Sequence, residues 1–129
     1  MTFSMNFTIE ADLERKIIKE KIYGIWKEDT ARSYHEEFMK VAAPLTGGRW
    51  AKLIDLNNWR SSYPEVVDVI GEHLEWCREN GMVLSVNIIE NPVTQNQLKR
   101  MFSIGGTGEM SRIFKSLSEG DKYLKENGF

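Results

Sequence analysis

The chain has 129 residues, 41% of them hydrophobic and 28% charged, a balance that fits one globular domain with a modest core and excludes a disordered chain. Its 17 basic and 19 acidic residues leave a net charge of −2, so it lacks the broad basic field that draws a protein to nucleic acid, and no nucleic-acid partner is expected. The one cysteine, Cys77, excludes an intrachain disulfide and fits a reducing compartment.

The opening residues "MTFSMNFTIEADLER" have no basic flank and their apolar residues alternate, so they do not read as a signal peptide. No apolar run approaches the roughly 20 residues of a membrane-spanning helix. A cytoplasmic protein, one domain over residues 1–129, is expected. A first strand is predicted over "SMNFTIEAD", with Met5, Phe7 and Ile9 alternating with polar residues. After a turn at Asp12 to Arg15, a second strand carries Ile18, Ile22 and Trp26 on one face and Tyr23 and Ile25 on the other. Lys19, Glu20 and Lys21 suggest that its beginning is solvated.

"DTARSYHEEFMKVAAP" reads as a helix, with Ala31, Tyr34, Phe38 and Val41 at helical spacing. Asp29 or Thr30 is the expected cap, and Pro44 with Gly47 and Gly48 the stop. "WAKLIDL" is a short apolar third strand, as expected of a central one. "PEVVDVIGEHLEWCREN" is a second helix with Val66, Val67, Ile70, Leu74 and Cys77 on one face, ended by Gly81. In the fourth strand, "MVLSVNIIE", Met82, Leu84, Val86 and Ile88 form a wholly apolar face. The other face is mixed, so helices are expected mainly on one side of the sheet. "TQNQLKRMF" suggests a short third helix, "SIGGTGE" a glycine-rich turn, "SRIF" a last strand, and "SLSEGDKYLKENGF" a closing helix with Ser116 and Glu119 at capping-box spacing. The order β-β-α-β-α-β-α-β-α implies an α/β fold with a mixed, largely parallel five-stranded sheet.

That order, the strand "AKLIDLNNW" leading into a helix, and the ending "RIFKSLSEGDKYLKENGF" resemble the SpoIIAA-like proteins, the STAS/SEC14-type branch of the anti-sigma-factor-antagonist folds. The closing helix matches at Phe114, Ser118-Glu119-Gly120 and Tyr123-Leu124, with Gly and Tyr where Ala and Trp are usual. Antagonists of that group carry a "DSSGLG"-like segment whose serine, at the start of the second helix, is phosphorylated. Phosphorylation adds nearly two negative charges and blocks the partner surface. Here the segment is "NNWRSSYPEVV". It keeps two serines but lacks the preceding Asp and the Gly-Leu-Gly, and Pro64 and Glu65 stand near the switch position. Ser61 and Ser62 are the phosphorylation candidates. The competing and favoured reading is that Ser62-x-x-Glu65 is a capping box with Pro64 in the first turn.

A catalytic site is not expected. His73 and Cys77 stand four apart on one helix and can be neighbours, but Cys77 lies on the apolar stripe, where a small core residue is the usual occupant. The pair supplies too few ligands for a metal, so neither metal nor cofactor is expected. "SIGGTGEM" follows a helix and lacks the strand-to-helix context of a phosphate loop. "EDT", "HEEF" and "EGD" read as caps and solvated helix faces.

Two placements point to a ligand. Trp59 is expected in the loop after the third strand, at the end where open α/β sheets gather ligands; a lid on the core is the plain alternative. Leu98, Met101, Phe102 and Ile104 make an apolar edge beside Lys99 and Arg100. An edge of that kind can touch a membrane surface, or close over an apolar pocket as a flap hinged at the glycines; an ordinary packed helix is the plain alternative. The STAS/SEC14-type resemblance implies a non-enzymatic carrier or sensor. The expected partner is therefore a small nonpolar molecule or lipid, lined by Trp59, Leu98, Met101, Phe102 and Ile104, with Lys99 and Arg100 facing a membrane. The alternative is a partner-switching module that binds another protein or a second copy of itself.

Overall fold

The computed structural model describes residues 2–3 and 6–129. The elements are β1 (Thr2–Phe3), β2 (Phe7–Asp12), β3 (Ile17–Trp26), α1 (Glu28–Ala42), β4 (Trp50–Ser62), α2 (Pro64–Glu79), β5 (Met82–Ile88), α3 (Pro92–Gly105), β6 (Ser111–Phe114) and α4 (Leu117–Glu126). Six strands lie side by side in chain order. β1, β2 and β3 are antiparallel neighbours, and β3, β4, β5 and β6 run parallel. The α/β order and the mixed, largely parallel sheet are those expected, with the two-residue β1 added as a sixth strand. The predicted first strand began at Ser4 and counted Met5, which lie outside the described residues; its remainder is β2.

Strands that advance one place per right-handed crossover put the intervening helices on one face. α1, α2 and α3 cover that face, and their buried residues join Ile18, Ile22, Trp26, Ile54 and Leu56 of the sheet in the main core. α4 alone covers the other face, where Leu124 packs with Ile17, Ala51, Leu53, Leu84, Val86 and Ile88. The wholly apolar face of β5 is thus the one under the single helix, and the mixed face lies under the three. Met82 departs from its expected companions. The pairing register shifts between Trp50 and Ala51, and Met82 joins the main core.

Several local readings change. β4 runs 13 residues, to Ser62, because β3 continues beside it and offers hydrogen-bonding edges as far as Trp26. Ser62 is therefore the last residue of a strand and not a helix cap. Tyr63 is the N-cap residue of α2 and makes no side-chain cap, while Pro64 occupies the first turn. α1 likewise starts from Lys27 without a side-chain cap, and Asp29 only accepts from the adjacent Thr30 amide. The Ser116 cap is present: its Oγ accepts from the Glu119 amide at 3.3 Å and donates to Glu119 Oε1 at 3.0 Å. α3 is longer than predicted at both ends, capped by Asn91, whose side chain accepts from the Val93 amide.

Two glycines set how close the layers come. A Cβ on Gly105 would lie 2.7 Å from both Gly71 O and Leu74 Cβ, so α3 meets α2 backbone to backbone there. A Cβ on Gly120 would lie 2.6 Å from Ile88 Cδ1 and 2.9 Å from Val86 Cγ1, so α4 lies directly on β5. Gly105 is thus a packed helical residue and not part of a loose turn; the chain leaves α3 at Gly106, with φ of +69°.

Candidate functional site

The helix-covered sheet face is apolar except for a polar stripe across its middle. Side chains alternate along a strand, so Glu20 lies on the same face as Ile18 and Ile22. On β4, Lys52 falls between Trp50 and Ile54 on that face. On β5, Ser85 pairs with Lys52 and Asn87 with Ile54. Glu20, Lys52, Ser85 and Asn87 are all buried. Glu20 therefore does not belong to a solvated strand start. Lys19 and Lys21 project to the opposite face, and their charge masks the pattern in the sequence.

Tyr34 of α1 and His73 of α2 close over the stripe. Lys52 Nζ lies 3.4 Å from Glu20 Oε2, 3.2 Å from Tyr34 Oη and 2.9 Å from His73 Nε2. Tyr34 Oη donates to Glu20 Oε1. The ammonium also stands over the Phe38 ring, 4.7 Å from its centroid. Burial pushes the Glu20 carboxyl up, and Lys52 and Tyr34 offset only part of that. The Tyr34 hydroxyl is raised well above its usual value by burial and then by Glu20. Burial holds the His73 imidazole well below its ordinary value, with Lys52 adding to the effect.

Cys77 lies one helical turn from His73, with Sγ 3.5 Å from Nε2. Burial pushes its thiol up to about 12, so it is held as a neutral thiol, the opposite of an activated nucleophile. Among the described residues no three His, Cys, Asp or Glu side chains stand close enough to hold a metal ion.

Beside this cluster lies a small, half-open apolar cavity of about 50 Å³. β3 contributes Ile22 and Trp26, β4 contributes Ile54, Leu56 and Trp59, α2 contributes Ile70 and Leu74, and α3 contributes Leu98, Met101 and Phe102. Lys52, Tyr34, His73 and Asn87 supply its polar wall. Gln97 of α3 ties the β4–α2 junction to this wall. Its Nε2 donates to Ser62 O at 2.8 Å and its Oε1 accepts from the Ser62 amide at 3.1 Å.

The residues singled out in the sequence fall as follows. Trp59, Leu98, Met101 and Phe102 line the cavity together. Trp59 is not in a loop. It lies on β4, paired with Gly24 of β3, is buried, and donates from Nε1 to Ser62 Oγ at 3.0 Å. On its far side it borders an open depression with Asn57, Arg60, Glu90 and Asn91 at the carboxyl ends of the strands. Ile104 does not line the cavity. It is 47% exposed and leans on Gly71, at the α2–α3 crossing. Lys99 and Arg100 are exposed on the outer side of α3. The apolar edge beside them is turned inward, because Leu98, Met101 and Phe102 are buried. Ser61 is exposed and Ser62 buried. The polar stripe was not predicted. Its signal was present in the sequence as single charges inside apolar alternation, Glu20 between Ile18 and Ile22 and Lys52 within "WAKLIDL".

The sheet order, the three helices on one face and the fourth on the other are those of the SpoIIAA-like fold. A solved structure with that fold is similar over nearly the whole chain: an uncharacterized protein of the DUF3478 family from Shewanella loihica PV-4. The two superpose with a TM-score of 0.67 at 11% identity, covering 96% of this chain and 98% of that one. No protein-family model matches the sequence, and no curated protein matches it. No helix among the described residues is long and apolar enough to cross a membrane.

Proposed function

We propose that the protein is a non-enzymatic binding module that carries or senses a small, largely nonpolar ligand held between the sheet and α3. The observation that carries this reading is the cavity itself, about 50 Å³ walled by Trp26, Leu56, Trp59, Leu98, Met101 and Phe102: it is apolar with a few convergent polar groups, the make-up of a small-molecule site, and its size suits a small ligand that continues into its mouth. Burying about 100 Å² of apolar ligand surface contributes about 2.5 kcal/mol before ordering costs. The raised Cys77 thiol supports a non-enzymatic role, since it leaves His73 without an activated partner. Lys99 and Arg100 on the outer face of α3 offer the contact through which the domain would meet an anionic membrane surface while loading.

Titration with N-phenyl-1-naphthylamine, an uncharged probe that brightens in apolar surroundings, tests this reading. Saturable one-to-one binding is expected. Leu98→Trp, which fills the cavity, is expected to weaken binding at least about tenfold without lowering stability. An absence of saturable binding to the native protein defeats the proposal.

Partner switching, as in the anti-sigma-factor antagonists, is the second reading, and its support is the SpoIIAA-like fold alone. Ser61, exposed beside the start of α2, would be its modification site, because Ser62 is engaged with Trp59. Stoichiometric phosphate on Ser61 after incubation with a cell extract and ATP is the result that this reading requires.

A further inference from the structure

We infer that the cavity selects a neutral amphipath, an apolar body bearing one hydroxyl or N–H donor, and that Asn87 Oδ1 is the acceptor for that donor. This rests on the reading of the cavity as a ligand site.

Asn87 is fully buried and is part of the cavity wall. Its Nδ2 faces Ser85 Oγ at 3.0 Å, Ser85 O at 3.3 Å and Arg112 O at 3.3 Å. Two of these are carbonyl oxygens, which only accept. The amide therefore cannot be turned the other way round: its nitrogen must face β6 and its oxygen must face away from those carbonyls. No donor among the described residues reaches that oxygen. A buried amide oxygen without a partner carries a lasting desolvation penalty, which a donor on a bound molecule would remove.

The charges beside it decide between kinds of donor. Lys52 is the one cation in the cavity wall, and its ammonium is already ion-paired with Glu20 and within hydrogen-bond distance of Tyr34 and His73. Lys52 and Glu20 balance one another. A carboxylate head group would enter as a second, uncompensated anion in a site removed from water, which is costly. A hydroxyl adds no charge and brings the donor that Asn87 lacks. The expected ligand class is thus a small ring-bearing alcohol, phenol or amide, and not the anion of a carboxylic acid.

The test is displacement of N-phenyl-1-naphthylamine by three ring-matched competitors: phenol, anisole, which has no donor, and benzoate at mildly alkaline pH. Phenol is expected to displace the probe at about one-tenth the concentration of either of the others, the worth of one hydrogen bond to a buried acceptor. In Asn87→Leu, phenol is expected to fall to the level of anisole. Equal displacement by phenol and anisole in the native protein, or stronger displacement by benzoate, overturns the inference while leaving the cavity a ligand site. This comparison needs no variant, so it holds even if Asn87→Leu fails to fold. If neither probe nor competitor binds, the cavity reading falls and this inference falls with it.

Discussion

Lys52 Nζ lies 2.9 Å from His73 Nε2, and this contact fixes the tautomers of two imidazoles. An ammonium only donates, so Nε2 of His73 must accept and its proton must sit on Nδ1. His73 Nδ1 lies 2.8 Å from His35 Nδ1. His73 therefore donates, His35 accepts, and the proton of His35 sits on its Nε2. A chain of hydrogen bonds thus runs from the buried Glu20–Lys52 pair, through His73, to the half-exposed His35. Long-range nitrogen NMR of the two rings is expected to show the Nδ1–H form for His73 and the Nε2–H form for His35. The reverse assignment at either ring means that Lys52 does not donate to His73.

The same pair governs the acid response. Both imidazoles are held below their ordinary value of 6.5, by burial first and Lys52 second. A group whose folded pKa is depressed contributes stability above its unfolded pKa and loses it as pH falls towards the folded value. Stability is therefore expected to decline from about pH 6.5 downwards. Glu20 is shifted upward, so its contribution runs the other way. It favours the fold at low pH and is lost as pH rises through its raised value. Thermal melts from about pH 7.5 to about pH 5.5 are expected to show a smaller fall in His73→Gln than in the native protein, because glutamine offers Lys52 an acceptor without titrating. An unchanged fall in the variant counts against His73 as the sensing group.

Removing one member of the buried ion pair leaves the other uncompensated. Lys52→Met is expected to destabilise the fold by about 3–5 kcal/mol, and Lys52→Met combined with Glu20→Leu to recover most of that loss. Denaturant unfolding of the two variants measures both effects. A double variant no more stable than the single one would show that the loss comes from packing and not from the stranded carboxylate.

Two glycine-to-alanine substitutions separate two kinds of close packing. At Gly105 the new methyl meets the Gly71 carbonyl of α2 and Leu74 Cβ, both at 2.7 Å. Backbone cannot yield, so Gly105→Ala is expected to cost about 2 kcal/mol or more. At Gly120 the nearest atoms are the methyl ends of Ile88 and Val86, which can turn aside. The alanine also gains about 1 kcal/mol of helix propensity, so Gly120→Ala is expected to change stability by less than about 1 kcal/mol. Thermal unfolding of each variant checks the contrast.

Cys77 is fully buried, and its thiol is pushed up to about 12. Under native conditions at neutral pH it is expected to resist a thiol reagent such as 5,5′-dithiobis(2-nitrobenzoate) and to react at once in denaturant. Fast native labelling would mean that α2 opens readily over the cavity.

The sequence carried the elements and their order in local patterns. Alternation marked β2, β3 and β5, the spacing of Tyr34 and Phe38 marked α1, and Ser116 with Glu119 marked the start of α4. Composition and these periods sufficed for an α/β sheet with unequal cover, because each pattern lies within one element. Trp59, Leu98, Met101 and Phe102 were legible as apolar residues in unusual places, and they meet at one cavity. Ile104 was not separable from them, since only the approach of α3 to α2 at Gly105 and Gly71 turns it outward. The length of β4, and with it the role of Ser62, was decided by pairing with β3, which no local pattern encodes. The polar cluster was decided in the same way. Glu20, Tyr34, Lys52, His73 and Asn87 come from five elements, and each looks ordinary in its own stretch of chain. Strand register and helix packing bring the first four within hydrogen-bond reach of one another and set Asn87 in the wall of the adjoining cavity, and burial then gives their charges and unpaired atoms the energetic weight that they lack in an extended chain.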